Sequence, residues 1–310
     1  MSDLADIAAS IWAREKAFEF RGSDPYDGLN SRLLGPLLGW SKYLRLALIQ
    51  AVKRSPIDLR RLLRVEQRVN PKGLALYLSS LISWPAMEED VDHWIDWLQD
   101  ELISKASLPD GRALVSPERR HVEGIHRNPS IADRMEKGSI AWGYSFPWQG
   151  RRFYQPAWAP TVVCTSFVLD ALIHADTPFL PQIAGAAARF VTDHLNIHED
   201  DTGVCFSYSP QDGTRVYNAS LFGARILAEG ARHSRDHSES LRFMACRAAE
   251  YVLHRQEDSG RWVYGESGHW QWTDNLHTGF VLESLMKLQS RLGQDKWRDR
   301  IQRGLDYYQE

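Results

Sequence analysis

Asp274 and His277 stand three positions apart at the start of an apolar stretch, with Trp272 just before them. A carboxylate one helical turn from an imidazole can orient that ring for proton transfer. Glu266 lies upstream in the same loop and offers a second carboxylate. Arg151 and Arg152 are adjacent guanidinium groups suited to hold a carboxylate or phosphate in bidentate fashion. Trp148 and Trp272 can stack on the face of a sugar ring. Tyr144, Tyr154, Tyr208, Asp212, Arg215, Tyr217, Asn218, Tyr264 and His269 fall in the same three loop segments, 142–158, 208–218 and 264–277. Structural roles compete for several of them. Asp274 can cap the helix that starts near Asn275, His277 can bond a neighbouring loop, and Tyr144, Tyr208 and Tyr264 recur in each segment as packing residues would. Glu266, His269, Trp272 and Arg151 do not recur, which favours a role specific to one site. Asp274, His277 and His269 have no regular ligand spacing, so no metal and no cofactor is expected.

These loops must be positioned by something that repeats. Three stretches align, each reading as an acid-x-Gly turn, a short aromatic run, a polar loop and an apolar helix. The helix openings are Cys164–Leu172, Ala219–Leu227 and His277–Leu285, with Phe167, Phe222 and Phe280 in register. Thr165, Ser220 and Thr278 are about 55 to 58 residues apart, room for two helices and a loop. A helical hairpin cannot bury its apolar side alone, so neighbours must share a core as an open stack or a closed ring. The ring is favoured, because it sends all three loops to one mouth.

The 310 residues are 43% apolar and 25% charged with a net charge of -3, an ordinary globular composition with no bulk attraction to nucleic acid. No window approaches 18 consecutive apolar residues, so no membrane span is expected. The first residues lack the basic and apolar segments of a secretory signal. Cys164, Cys205 and Cys246 are isolated thiols, which suits a cytoplasmic protein. Twelve tryptophans are many for this length, and several lie in loops.

Along the chain, helical spacing predicts an amphipathic helix over 4–18 and another over 31–53, then a short basic helix from Pro56 to Val69. A hairpin follows over 73–84 and 88–106. Residues 107–140 carry many Pro and Gly without sustained periodicity and are a candidate lid, with Arg119, Arg120, His121, His126 and Arg127 as a basic cluster. The last three units have second helices near 181–195, 237–256 and 295–309. The chain stops partway through a repeat, so the expectation is either that the first helix closes the ring or that this is a shortened version of a longer protein. The expectation is a single all-α domain over 1–310, an α/α toroid of about five to six hairpins with short strands only in loops.

Arg247-Ala248, Tyr251-Val252, Gln256, Gly260 and Trp262 resemble the repeat motif of terpenoid cyclases of the squalene and hopene type, a family built on an α/α barrel. The resemblance implies that Gln256 and Trp262 staple one helix end to the next hairpin. Those cyclases carry their acid in an Asp-x-Asp-Asp run, whereas His198-Glu199-Asp200-Asp201 lacks the first Asp. Protein prenyltransferases share the toroid, but no match to their zinc ligands surrounds the three cysteines. Phe206–Pro210 followed by Tyr217–Phe222 is similar to α/α toroids of bacterial polysaccharide pathways, including glucuronyl C5-epimerases. That similarity implies proton transfer by Tyr208 and Tyr217 beside a uronic carboxylate. The function expected is acid/base chemistry on a glycan, with a small-molecule or glycan substrate and an unassigned oligomeric state. An isoprenoid enzyme of the cyclase or prenyltransferase kind and a non-catalytic glycan- or partner-binding toroid are the alternatives.

Overall fold

A computed structural model describes residues 2–115, 124–150, 153–266 and 268–309. The chain is mostly helical, with small two-stranded antiparallel pairs confined to connections. It divides into two compact units, one formed by 1–128, 142–160 and 170–178, the other by 129–141, 161–169 and 179–310.

The first unit contains α1 (Ser2–Ala17), α2 (Gly35–Leu38), α3 (Lys42–Arg54), α4 (Pro71–Ser83) and α5 (Val91–Ser104), with strands β1 (Arg21–Gly22) and β2 (Arg68–Val69) paired, and β3 (Trp148–Gln149) and β4 (Tyr154–Gln155) paired. α4 begins where Pro71 needs no hydrogen-bond donor and the Asn70 side chain accepts from Lys72 N–H. Leu74, Leu78 and Leu81 of α4 pack with Leu98 and Leu102 of α5, all five essentially inaccessible. The Trp142 indole N–H closes this core on the Leu102 carbonyl at 2.7 Å.

Two helices expected from spacing are absent in that form. The stretch 31–53 is broken between α2 and α3, where Gly39 and an extended Ser41 interrupt the winding and Pro36 is accommodated only in a first turn. Residues 56–67 form turns rather than a basic helix. Arg60 is drawn to the buried Asp27 carboxylate at 3.1 Å and the Asp24 carbonyl at 2.9 Å, and Arg64 adopts a positive φ of 48°. A continuous helix would break both contacts.

The second unit contains α6 (Pro129–Lys137), the first half of α7 (Val162–His174), α8 (Leu180–His194), the hairpin β5 (Ile197–Asp200) and β6 (Gly203–Phe206), α9 (Tyr217–His233), α10 (Ser238–His254), α11 (Asn275–Leu292) and α12 (Arg298–Gln309). α9 packs against α8, α10 and α11, and α11 against α12. α6 lies inside the span expected to be a long loop. Its Ile131, Ala132 and Met135 are buried on one face against α8, and Arg189 ties down its last carbonyls. Of the basic cluster before it, Arg119, Arg120 and His121 lie outside the described residues. His126 is only 2% exposed and held by Asp100, with Nδ1 at 2.6 Å, and Arg127 pairs with Asp96 at 2.9 Å, so neither is a free cation for capturing an anion.

The repeat turns have a readable chemistry. Asp200 Oδ1 accepts from Thr202 N–H, Thr202 hydroxyl and Gly203 N–H at 2.8, 2.6 and 3.2 Å, which folds β5 back on β6. In the next copy Gly260 has φ of +90°, and a Cβ there would sit 2.2 Å from the Arg303 carbonyl oxygen. Gln256 Nε2 donates to the Gly260 and Arg300 carbonyls at 3.0 and 2.9 Å, and Trp262 Nε1 to the Val252 carbonyl at 2.9 Å. These two side chains therefore bind the end of α10 to α12 and to the following strand-like segment.

Phe167, Phe222 and Phe280, one from each copy, meet as a triangle. Their ring centroids are 5.6 Å (167 to 222), 5.5 Å (222 to 280) and 5.8 Å (167 to 280) apart, in tilted and edge-to-face arrangements. The first copy thus touches the third as closely as it touches the second.

Candidate functional site

Within the second unit the loops of two copies are stitched together before they reach the chemistry. Val216 and Gly265 form an antiparallel bridge, Tyr217 N–H reaches the Tyr264 carbonyl at 3.3 Å, and Tyr264 N–H reaches the Trp272 carbonyl at 2.8 Å. The last of these folds segment 264–272 back on itself and lays Trp272 on Tyr264, with ring centroids 4.4 Å apart and planes 13° from parallel. Trp272 is 41% exposed, so one face of the stack meets solvent.

Asp274 closes this loop and opens α11. Its Oδ1 accepts the His277 backbone N–H at 2.7 Å, which is the N-cap, and its Oδ2 lies 2.7 Å from His277 Nδ1. Facing a carboxylate, Nδ1 is the donor, and in the neutral ring this makes Nε2 the acceptor. Tyr264 meets the imidazole edge-on at 4.6 Å and Trp272 at 5.5 Å. The His277 ring is held on three sides and remains 29% exposed, more open than a first-turn core histidine.

Burial acts to raise the Asp274 pKa, but hydrogen bonds from the His277 backbone and ring outweigh it and hold the carboxyl below its ordinary value. The opposite holds for Tyr264, where burial, aided by the charges of Asp274 and Asp212, pushes the phenol up to about 12. A narrow crevice of about 10 Å³, the size of one water molecule, runs between Asn218, Tyr264, Trp272, Asp274 and His277. Asn218 Oδ1 is buried along it and has no partner among the described residues. The crevice is too small for anything larger than water, and the indole face beside it is open.

Glu266 belongs to a different constellation. Arg215 Nε lies 2.9 Å from its Oε2, and Arg255 and the Tyr251 hydroxyl both donate to Oε1. Arg255 continues to Asp200 Oδ2 and Thr202 Oγ1, each at 2.7 Å, and its guanidinium stacks 3.3 Å from the Tyr251 ring centroid. Hydrogen bonds from Thr202, against a smaller opposing effect of burial and with help from Arg255, hold the Asp200 carboxyl well below its ordinary range. Two guanidiniums and a phenol leave Glu266 committed to tying the β5–β6 turn, α10 and the 215–217 loop together. Tyr217 is buried, with its phenol raised to about 12 by burial first and by Glu266 second. It holds its proton at neutral pH and is suited to donate rather than to act as a base.

The remaining expected residues are dispersed. Tyr208 gives its backbone carbonyl to Val162 N–H at 3.0 Å, and His269 is exposed on a 3-10 turn, Gly268–Trp270. Tyr144, Trp148 and Tyr154 belong to the first unit. There Tyr144 stacks on Phe146, Trp148 meets Phe153 edge-on, and Tyr154 lies under the Arg45 guanidinium at 4.6 Å. Arg151 and Arg152 lie outside the described residues. Arg255 is a partner that the sequence did not single out, and Tyr251 stood there only as a member of the repeat motif; the signal available was the position of Arg255 next to the stapling Gln256. Among the described residues no group of three or more His, Cys, Asp or Glu is arranged to hold a metal ion, and no helix is long and apolar enough to cross a membrane. No known family model matches the chain, and no curated protein matches it significantly.

Proposed function

We propose that this chain is a cytoplasmic carbohydrate-active enzyme of bacterial polysaccharide metabolism, built as an α/α toroid, that performs acid/base chemistry on a uronate-containing glycan. The observation that carries the proposal is the Asp274–His277 pair beside an exposed Trp272 face. Asp274 orients the imidazole and stabilises the imidazolium that forms when Nε2 takes a proton. A sugar stacked on Trp272 would present an axial C–H to Nε2. Removal of the proton next to a carboxylate leaves an enolate, and a proton from solvent can be returned to the same carbon from its other side. Epimerisation needs no other reagent, since one proton leaves and one arrives; where instead the C4 oxygen departs as an alcohol, the same base gives elimination.

Support for ring closure comes from the phenylalanine triangle, because in an open stack a repeat meets only its neighbours. The carboxylate that caps α11 and orients a histidine under an open indole is unlike the lone acid in a deep apolar chamber that cyclisation of an isoprenoid requires. Cys205 is buried and Cys246 half-buried, and neither is in a disulfide, which fits a reducing compartment.

The test is incubation with uronate oligosaccharides in deuterated water. Deuterium at C5 or an unsaturated product is expected. Neither label, cleavage nor binding across such a panel would remove the enzymatic assignment.

A further inference from the structure

The first unit has a cleft of about 740 Å³ on which no chemistry has so far been placed. It falls within the roughly 300–1,000 Å³ of small-molecule sites. α5 supplies one wall through Trp94, Trp97 and Glu101, which share a helical face by their spacing of three and four. The two indoles are braced from behind by Phe20, whose ring lies 6.0 Å from Trp94 and 5.4 Å from Trp97 and is itself only 5% exposed.

Trp158 faces this cleft as a third indole, and its backbone is unusual. It has φ of +65°, a conformation that bulky side chains avoid, and its N–H is anchored on the Tyr144 carbonyl at 2.7 Å. Glycine or asparagine would take that backbone at lower cost. A tryptophan kept there, partly exposed, in a cleft with two other tryptophans is placed for what its side chain touches outside the fold.

The polar rim decides the ligand. Arg68 pairs with Glu66 at 2.9 Å, Arg21 with Glu19 at 3.4 Å, Lys105 with Glu101, and Lys16 with Glu88 just outside the cleft. With each cation beside a carboxylate, the rim has little net field for a phosphate or a uronate. It does offer polar side chains around indoles, whose faces match the C–H face of a pyranose. We infer that this cleft binds a neutral oligosaccharide segment, held by stacking on Trp158 and Trp97, beside Trp94, whose ring already carries the Lys16 ammonium at 5.2 Å. The site stands independently of the chemistry proposed for Asp274 and His277.

Titration with cellohexaose, maltohexaose and laminarihexaose, followed by tryptophan emission and calorimetry, tests it, with a trigalacturonate as the charged comparator. At least one neutral hexasaccharide should bind and quench emission, more tightly than the trigalacturonate. W158G should bind at least 10-fold more weakly while melting no lower than the parent, since it removes the indole and relieves the backbone together. E101Q, which leaves every indole in place, should also weaken binding. Absence of binding by all three neutral sugars overturns the inference. So does W158G that binds normally or that no longer folds, because either result makes Trp158 a packing residue.

Discussion

Both oxygens of the Asp274 carboxylate are directed at His277, one at its backbone N–H and one at its ring Nδ1, each 2.7 Å away. A cap and a catalytic orienter are thus the same side chain, and the two roles separate only under substitution. D274N keeps a good cap and should cost a few tenths of a kcal/mol, while D274A should cost about 1 kcal/mol. If the pair moves protons, D274N lowers turnover about 100-fold at an unchanged melting temperature. The carboxyl is depressed in the folded state, so its stabilising contribution is present above the unfolded value near about pH 4 and disappears as pH falls through the folded one. The stability gap between the parent and D274N should therefore close in acid, which denaturant titrations at a series of pH values will read.

E266Q addresses the ion network. Replacing a carboxylate that serves Arg215, Arg255 and Tyr251 should destabilise the protein by about 2 kcal/mol, the range of charge-assisted hydrogen bonds. Urea unfolding measures this. An E266Q protein of normal stability and no activity would instead return Glu266 to the reaction.

G304A tests the staple between α10 and α12. A Cβ at position 304 would come within 2.4 Å of the Trp262 ring, so the substitution should cost about 1–3 kcal/mol by overpacking. The cost should shrink in the W262F background, where the ring that clashes is smaller, and a double-mutant cycle gives the coupling directly.

Cys205 is 1% exposed, and burial pushes its thiol up to about 12. The native protein should leave Cys205 unmodified by iodoacetamide at about pH 8, where an ordinary exposed thiol reacts. Peptide mapping before and after unfolding checks this.

The helices of the second unit were legible because their apolar spacing runs for several turns and is repeated; α8, α10 and α11 begin or end within about two residues of the expected positions. α6 was missed because its apolar face, Ile131, Ala132 and Met135, is well spaced for a helix but runs for only two turns between Pro129 and Gly138, and its end is held by Arg189 from another element. The basic stretch 56–67 failed for the converse reason. Its local preference is helical, and the buried Asp27 overrides it through Arg60. For the candidate site, the Asp274 and His277 pairing follows from a spacing of three at a helix start. The commitment of Glu266 to two arginines could not be read, since Arg215 and Arg255 are brought to it by the Val216–Gly265 bridge and by the end of α10.

The triangle of Phe167, Phe222 and Phe280 also bears on how the chain folds. Repeats that meet only their neighbours can fray one at a time, and their stability grows with each added copy. Here the ring from the first copy gains its second phenylalanine partner only when the third copy, two repeats later in sequence, has been made and docked. Such a contact closes a long loop, which slows folding and places the first half of α7 with α9 and α11 in one cooperative block. Amides buried at the centre of α9 and α11 should then exchange with solvent through a common opening, and a chain cut after α10 should lose order in copies upstream of the cut.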